Sequence, residues 1–264
     1  MNYIRSLLFS ILILSIASIV WAADDPAIAG KKLAQQMDDV DNSVDSISSG
    51  VMTITRDGKI LTRSFDLFTK QIKPNKEEER VLFVFNEPAE VKGITYLEWT
   101  YQGTDKDDDL WVYLPSESMT RRISGSSMFS SFMRSDLANE DLKNMDDVEE
   151  YTYEIQGSET VDGKDCYILT RTAIKQKDTQ YSRQVQWVRK DNLLREKIEY
   201  YDKKNKLLKT MYFLTCDKID GIWTTTKLKI DKADGTSSTV VDWSKIQYNV
   251  GLKDQDFEQS RLHR

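Results

Sequence analysis

The sequence predicts a mainly β protein that folds as one antiparallel meander, and two features of the 264-residue chain support this prediction. First, about eleven or twelve segments rich in β-branched and aromatic residues follow one another at nearly regular spacing, with short polar turns between them. Second, the chain has neither a repeat of fixed period nor a low-complexity linker that would divide it. Short strands at regular spacing are typical of a β-sandwich or a β-barrel.

The N-terminal 22 residues have the layout of a secretory signal peptide. One positive charge at Arg5 precedes an apolar run over residues 7–20, which is too short for a good transmembrane helix. Val20 and Ala22 place small or medium side chains at the two positions that a signal peptidase reads. We therefore expect residues 1–22 to be removed and residues 23–264 to form one secreted β domain; an uncleaved N-terminal anchor is the alternative.

The mature chain is expected to open with one helix. Asp24 or Asp25 can cap its N-terminus, and Pro26 suits its first turn. Apolar residues then recur with approximately helical spacing at Ile28, Leu33, Met37 and Val40. A polar run over residues 41–50 follows, and everything from Val51 onward is predicted to be β structure.

Hairpin turns define the strands that follow the helix. Asp57-Gly58 is a strong two-residue turn signal between two such segments, and Asp162-Gly163 and Asp220-Gly221 repeat the signal later in the chain. The predicted strands are residues 51–56, 59–69, 80–85, 94–101, 110–114, 151–156, 165–175, 181–189, 194–201, 206–216, 222–230 and 239–248.

Several predicted strands are apolar on both alternating sets of side chains, as residues 81–85 and 110–114 illustrate. A sheet with one face in water alternates apolar and polar residues, so these strands indicate a sheet that is covered on both sides. A sandwich core, or a barrel face with a helix outside, explains the pattern. A curved sheet that lines an apolar cavity explains it equally well, and periodicity alone does not separate the two.

Composition argues against the common classes of enzyme and against nucleic-acid binding. The only histidine is His263, which leaves no basis for histidine-dependent triads or histidine metal sites. There is no CxxC pair, phosphate-binding glycine loop or GxSxG elbow. The charges are interspersed with a net value of −6, which does not favour nucleic acid as a partner. We predict a non-enzymatic protein with no catalytic residue, no cofactor and no metal.

Two cysteines, Cys166 and Cys216, lie in separate predicted strands. In an oxidising compartment an even pair can form a disulfide, provided that the two strands are near neighbours. Two buried thiols that act as small hydrophobic side chains are the alternative.

An unusual loop follows the strand at residues 110–114. After Arg121 and Arg122 comes a Gly/Ser-rich stretch that carries four large apolar side chains, Met128, Phe129, Phe132 and Met133. Methionine adapts to irregular apolar shapes and glycine lets the backbone move, so the stretch suits a lid over an apolar cavity. A permanently buried plug without a ligand is the alternative. Ser135 or Asp136 is predicted to cap a short helix through Leu142.

The same region carries a family resemblance. The runs LWVYLP at residues 110–115, RRIS at 121–124, SFMRSDL at 131–137 and EDL at 140–142 resemble the LolA-like outer-membrane lipoprotein-sorting protein family. Residues 85–93, 163–169 and 248–262 are similar to further parts of the family pattern. The likeness covers essentially the whole mature chain, although Arg134 stands where a small residue is usual.

The resemblance implies a half-open antiparallel β-barrel, a strongly curved sheet of about eleven strands with an N-terminal helix and a short lid helix or loop. Its apolar cavity would bind acyl chains of lipoproteins or other lipids in the periplasm. The candidate lipid-contacting and lid residues are Phe83, Phe85, Trp111, Tyr113, Met128, Phe129, Phe132 and Met133. Arg121 and Arg122 are candidates for contact with a head group or a partner.

The resulting functional hypothesis is a periplasmic carrier that shuttles acyl chains toward the outer membrane. An inner-membrane transporter and an outer-membrane acceptor are its expected partners, nucleic acid is not, and the protein is expected to be a monomer. The alternative hypothesis is an interaction module of the envelope that docks a lipid-exporting membrane transporter.

Overall fold

A computed structural model describes residues 25–73, 77–102, 106–142 and 148–263. The predicted signal peptide lies outside these residues. Within them, one helix, α1 (Pro26–Asp38), precedes the strands. The strands are β1 (Asp45–Arg56), β2 (Lys59–Lys73), β3 (Glu78–Glu87), β4 (Thr95–Thr100), β5 (Asp109–Leu114), β6 (Met119–Ile123), β7 (Tyr151–Val161), β8 (Lys164–Ala173), β9 (Tyr181–Arg189), β10 (Arg195–Asp202), β11 (Leu207–Ile219), β12 (Ile222–Lys232) and β13 (Ser237–Tyr248).

All of these strands form one antiparallel sheet that does not close. Its order is β6-β5-β4-β3-β2-β1-β13-β12-β11-β10-β9-β8-β7, so two meanders meet where β1 pairs with β13. The register of that central pair is set by contacts such as Met52 opposite Val241 and Ile54 opposite Thr239. The strands β6 and β7 are consequently the two edges of the sheet. The predicted mainly β, curved antiparallel architecture is confirmed.

The sheet has thirteen strands, slightly more than the sequence predicted. The strand β6 was missed because its side chains are mostly polar and exposed, as is usual for a short edge strand. The strand β1 begins at Asp45, inside the polar run over residues 41–50, for which the sequence predicts no strand. Gly50 interrupts the apolar pattern there because the ring of Phe65 on β2 occupies the space where its Cβ would lie.

Local signals were sufficient for the helix start and for three hairpin turns. The side chain of Asp25 accepts a hydrogen bond from the backbone N–H of Ala27 at 2.9 Å, which makes it the N-cap. At Asp57-Gly58 both residues have positive φ and Arg56 pairs with Lys59, as expected for a two-residue hairpin turn. The turns at Asp162-Gly163 and Asp220-Gly221 share this backbone conformation.

The two faces of the sheet bury different clusters. We define the inner face as the one that carries Phe65, Phe85 and Ile198, which belong to the main core cluster. Helix α1 packs on the same face. Leu169, which belongs to the cluster under the helix, is the cross-strand partner of Gln186, and Gln186 is the cross-strand partner of Ile198. Side chains of cross-strand partners point to the same face of a sheet. The helix covers one part of the inner face, over β7 to β9.

The outer face over β3 to β5 is covered by the C-terminal segment. Phe257 and Leu262 pack there against Leu97 and Trp111. Asp45 holds the chain as it leaves β13, because its buried carboxylate accepts hydrogen bonds from the backbone N–H groups of residues 250–252. The predicted cover on both sides of these strands is therefore present.

In the part of the chain described by the structure, we find no helix with the length and apolar character needed to cross a membrane.

Candidate functional site

The strands β6 and β7 lie at opposite edges of the sheet, and the structure describes residues 124–142 and 148–150 of the long connection between them. The connection therefore has to run across the sheet. Its side chain Phe132 is 0% exposed and belongs to the main core cluster of the inner face. We call residues 131–142 the plug segment, because they insert this ring beneath the inner face.

Phe132 completes a cluster of five aromatic rings, Phe65, Phe83, Phe85, Tyr96 and Phe132. The centroid of the Phe132 ring lies 4.8 Å from that of Tyr96, 5.6 Å from Phe83 and 5.8 Å from Phe85. The contact with Tyr96 is edge to face, an arrangement that aromatic pairs favour. The inner face is thus filled in this structure by a side chain from the plug segment.

The plug segment holds its own shape through local hydrogen bonds. The N–H of Phe132 donates to the carbonyl of Leu137 at 2.7 Å, and the Ser135 hydroxyl donates to the carbonyl of Phe132 at 2.6 Å. Met133 and Arg134 both have positive φ, at 48° and 63°. Such backbone conformations are strained for residues with a Cβ, so the surrounding contacts must maintain this turn.

Asp136 anchors the plug segment to strand β13. Its side chain is fully buried, and its two oxygens accept hydrogen bonds from the hydroxyls of Ser237 and Thr239 on β13. The backbone N–H of Asp136 also donates to the Thr239 hydroxyl at 3.0 Å. Arg56 lies 3.6 Å from the same carboxylate. The aspartate of the SDL motif is therefore a structural anchor.

Asp141 supplies a second anchor through a buried ion pair with Lys209 of β11. The two side chains are only 2% and 7% exposed. The carboxylate of Asp141 also accepts hydrogen bonds from the Tyr181 hydroxyl at 2.8 Å and from the Ala138 N–H at 2.6 Å. Because these bonds satisfy a carboxylate in the interior, they fix the end of the plug segment to β9 and β11.

The prediction that Ser135 or Asp136 caps a short helix is wrong. Only a single 3-10 turn, Asn139–Leu142, forms. Asp136 is turned toward β13 instead, and Ser135 bonds within its own turn, to the N–H of Leu137 at 3.2 Å. Packing of Phe132 into the core pulls this stretch inward, where hydroxyl partners on β13 compete successfully with the helix N-terminus.

The structure brings together most of the residues that the sequence singled out for lipid contact. Phe83, Phe85, Phe132 and Met133 lie in or against the main core cluster, and partly buried Met128 packs against it. Phe129 is half-buried at the end of a 3-10 turn, Gly125–Phe129. Sequence reasoning missed the contributions of Phe65 and Tyr96, although the alternation of apolar residues along β2 and β4 could have indicated them.

Trp111 and Tyr113 are not brought to this site. They lie on the outer face of β5, in the cluster with Phe257, while Leu110 and Val112 face inward. The rings of Trp111 and Trp99 are 4.8 Å apart, and Trp99 donates a hydrogen bond to the carbonyl of Phe257 at 2.9 Å. Alternation along a strand dictates this separation, because neighbouring side chains point to opposite faces.

Arg121 and Arg122 lie on the edge strand β6 and are exposed. Arg121 forms an ion pair with Glu117, and Arg122 forms one with Asp109 at 2.5 Å. Exposed ion pairs of this kind contribute little to stability, so both guanidinium groups stay accessible to an exchange of partners.

In the structure Cys166 and Cys216 are free thiols, which is the second of the two alternatives that the sequence leaves open. They lie on β8 and β11, and the strands β9 and β10 separate these two in the sheet. A disulfide needs close Cα atoms, which neighbouring strands would provide. Burial raises the pKa of both thiols, as expected for inert cysteines.

A cleft of about 290 Å³ lies between the start of α1 and the strands β7 and β8. Threonines contribute much of its lining, at Thr152, Thr170 and Thr172. A polar, open cleft does not suit a hydrocarbon chain. Among the residues for which the structure gives positions, no group of three His, Cys, Asp or Glu side chains is arranged to hold a metal ion.

Glu140 makes stability depend on pH in a definite direction. Burial raises the pKa of this carboxyl group, and hydrogen bonds from Thr179 and Gln180 oppose the rise. An acid whose pKa is higher in the folded state destabilises the fold as pH rises from its unfolded pKa through its folded pKa. We expect Glu140→Gln to be more stable than the wild type at pH 7, with the advantage disappearing near pH 4.

Urea denaturation at several pH values between 4 and 7 measures this effect. Glu154→Gln is the matched control, because it makes the same substitution at an exposed position. A stability difference between Glu140→Gln and the wild type that does not grow with pH would contradict the assignment.

The comparisons with known proteins agree with this architecture. An outer membrane lipoprotein-sorting protein domain from Vibrio parahaemolyticus is 28% identical, with a TM-score of 0.84 over 90% of this chain and 100% of that one. A LolA superfamily protein from Nitrosomonas europaea is 22% identical, with a TM-score of 0.69 over 88% and 98% of the two chains. The open antiparallel sheet with its covered inner face thus has a LolA-like fold.

A closer similarity identifies the family. A DUF1329 family protein from Desulfovibrio piger is 57% identical, with a TM-score of 0.88 over 90% of this chain and 99% of that one. A family model described only as an uncharacterized protein matches residues 77–264. The chain belongs to the DUF1329 family. No curated protein sequence matches it significantly.

Proposed function

We propose that this protein is a periplasmic, non-enzymatic carrier that binds acyl chains of lipoproteins or other lipids on its inner face and shuttles them toward the outer membrane. The burial of Phe132 carries this proposal. The connection between β6 and β7, through a single 3-10 turn at Phe132–Arg134, supplies the ring that fills the apolar interior. Departure of the plug segment would expose an apolar surface without breaking a strand pair.

The chemistry of the inner face supports an acyl ligand. Its buried side chains include six aromatic residues besides Phe132 itself, namely Phe65, Phe85, Tyr96, Tyr181, Tyr200 and Phe213, together with Met52 and Met211. Methionine side chains adapt to irregular hydrocarbon shapes. The surface beneath the plug segment can therefore accept a flexible chain after Phe132 leaves.

The free energies are of the right size for such an exchange. Burial of sixteen methylene groups is worth about 13 kcal/mol at roughly 0.8 kcal/mol per group. Removal of one buried phenylalanine ring costs about 3–5 kcal/mol. An acyl chain can thus offset the loss of Phe132 from the core and part of the loss of the polar anchors.

The similarity to the lipoprotein-sorting domain adds support, since the two structures match with a TM-score of 0.84 over 90% of this chain. In this proposal, exposed Arg121 and Arg122 contact a head group or a partner, such as an inner-membrane transporter or an outer-membrane acceptor. The edge position of β6 favours the alternative of a docking module for a transporter, because a partner strand has direct access there.

Native mass spectrometry of protein purified without detergent, before and after addition of palmitate, tests the proposal. We expect a one-to-one complex. Hydrogen exchange in the same samples should show faster exchange of the Phe132 and Asn139 amides on binding, because both donate hydrogen bonds within the plug region. The docking module predicts no complex and unchanged exchange, and that outcome would reject the carrier.

A further inference from the structure

A buried arginine, Arg63, has no hydrogen-bond partner among the residues that the structure describes. Arg63 is 7% exposed, and its Nε–H has no hydrogen-bond acceptor. Its neighbours in the alternation along β2, Leu61 and Phe65, pack into the main core, so Arg63 points to the same inner face. Among the described residues, no carboxylate forms an ion pair with it.

Two further hydrogen-bond donors accompany Arg63. Arg134, exposed at the strained tip of the plug segment, is close enough for its charge to lower the pKa of Arg63, next to the larger effect of burial. Tyr96 is also near, because the guanidinium of Arg63 opposes the rise to about 12 that burial causes in the pKa of Tyr96. Neither the Arg134 guanidinium nor the Tyr96 hydroxyl has a hydrogen-bond partner within the described chain.

This arrangement is unfavourable for a protein without a ligand. A buried charge is costly unless it is paired, and a second positive charge beside it adds repulsion. The carboxylate of exposed Glu90 raises the pKa of Arg63, but its effect is smaller than the effects of burial, Arg134 and Tyr96. One bound anion would satisfy the guanidinium groups and remove their repulsion.

We propose that Arg63, Tyr96 and Arg134 form a binding site for one phosphate or carboxylate group. The inference rests on the proposed carrier function, and it identifies the ligand class as an acidic lipid. The Tyr96 ring lies 4.8 Å from that of Phe132. An acyl chain that replaces Phe132 would consequently begin next to these donors. Arginine suits this role because its planar donor groups match phosphate and carboxylate oxygens.

Three ligands with the wild-type protein separate the sources of the anion: lysophosphatidic acid, the monoacylglycerol with the same acyl chain, and inorganic phosphate. Titration calorimetry should show that lysophosphatidic acid binds about ten- to a hundredfold more tightly than the monoacylglycerol, the usual effect of charge-assisted hydrogen bonds. Inorganic phosphate should bind weakly, because it lacks the chain.

Substitutions test which residues cause the tighter binding of lysophosphatidic acid. Arg63→Gln and Arg134→Gln should each reduce the advantage of lysophosphatidic acid, while the monoacylglycerol binds as before. Arg261→Gln, on the outer-face C-terminal segment, is the control and should keep the full advantage. Arg63→Met provides a second readout, because it replaces an unpaired buried charge with an apolar side chain. It should raise the melting temperature of the ligand-free protein while it abolishes the preference.

The outcomes are distinguishable. Equal affinity of the wild type for lysophosphatidic acid and the monoacylglycerol would overturn the anion site and leave the carrier function standing. Binding of inorganic phosphate as tight as that of lysophosphatidic acid would overturn the assignment to a lipid head group. Failure of both lipids to bind would overturn the carrier function itself. A lower melting temperature for Arg63→Met would show that Arg63 stabilises the fold, which contradicts the proposal.

Discussion

Phe132→Ala should lower the free energy of unfolding by about 3–5 kcal/mol, and an acyl ligand should restore much of this loss. The ring is 0% exposed and contacts three aromatic neighbours, so its removal leaves a void in the main core. In the wild type an acyl chain must first displace the ring. In the variant that space is already vacant, so binding should stabilise the variant more than the wild type.

Phe257→Ala is the matched control for this experiment. Phe257 is 1% exposed, but it packs on the outer face against Leu97 and Trp111. Its removal should cost a comparable free energy, and an acyl ligand should stabilise this variant only as much as it stabilises the wild type. Thermal unfolding with and without saturating palmitate measures both effects. Equal stabilisation of the two alanine variants would show that acyl chains do not occupy the Phe132 space.

Lys209→Met should lower the free energy of unfolding by about 3–5 kcal/mol, because it leaves the charge of Asp141 buried without its cation. Lys209 is 7% exposed and also donates to the backbone carbonyl of Asp136 at 3.1 Å. Loss of these contacts releases the plug segment from β11. Hydrogen exchange of the Phe132 and Asn139 amides should accelerate even without a ligand.

An exposed ion pair elsewhere in the sheet provides the control. Lys227 and Asp242 are 2.7 Å apart with side chains 40% and 53% exposed, so Lys227→Met should cost about 1 kcal/mol or less. The double variant Lys209→Met with Asp141→Leu should recover part of the stability, since no unpaired charge remains. Urea denaturation of the four proteins decides the matter. If Lys209→Met lowers the free energy of unfolding no more than Lys227→Met does, other groups stabilise the buried charge of Asp141.

The apolar pattern of β5 shows how far sequence reasoning reaches into the site. Leu110 and Val112 alternate with Trp111 and Tyr113, and this pattern correctly predicted that both faces of the strand are covered. It did not reveal which cover belongs to which face. The C-terminal segment, which lies far along the chain, takes the outer face, and the plug segment, which follows β6, takes the inner one. Contacts that form only in the folded sheet decide this assignment.

The anchors of the plug segment were beyond sequence reasoning for the same reason. Aspartate is a common N-cap residue, so a local interpretation predicts that Ser135 or Asp136 caps a short helix through Leu142, with Asp141 inside that helix. Their partners, Thr239 and Lys209, lie 103 and 68 residues away in the sequence. Only the packing of β11 and β13 beneath the plug segment makes these contacts available.

The sequence by itself determined the elements whose causes are local: the capped start of α1, the Asp-Gly hairpins and the alternation that makes the chain mainly β. Backbone conformation at a turn depends on a few adjacent residues, so it can be inferred from them. The pairing of β1 with β13, the insertion of Phe132 and the isolation of Arg63 were decided by the tertiary structure. Each depends on contacts between segments that are far apart in the chain, and such contacts exist only once the whole sheet has formed.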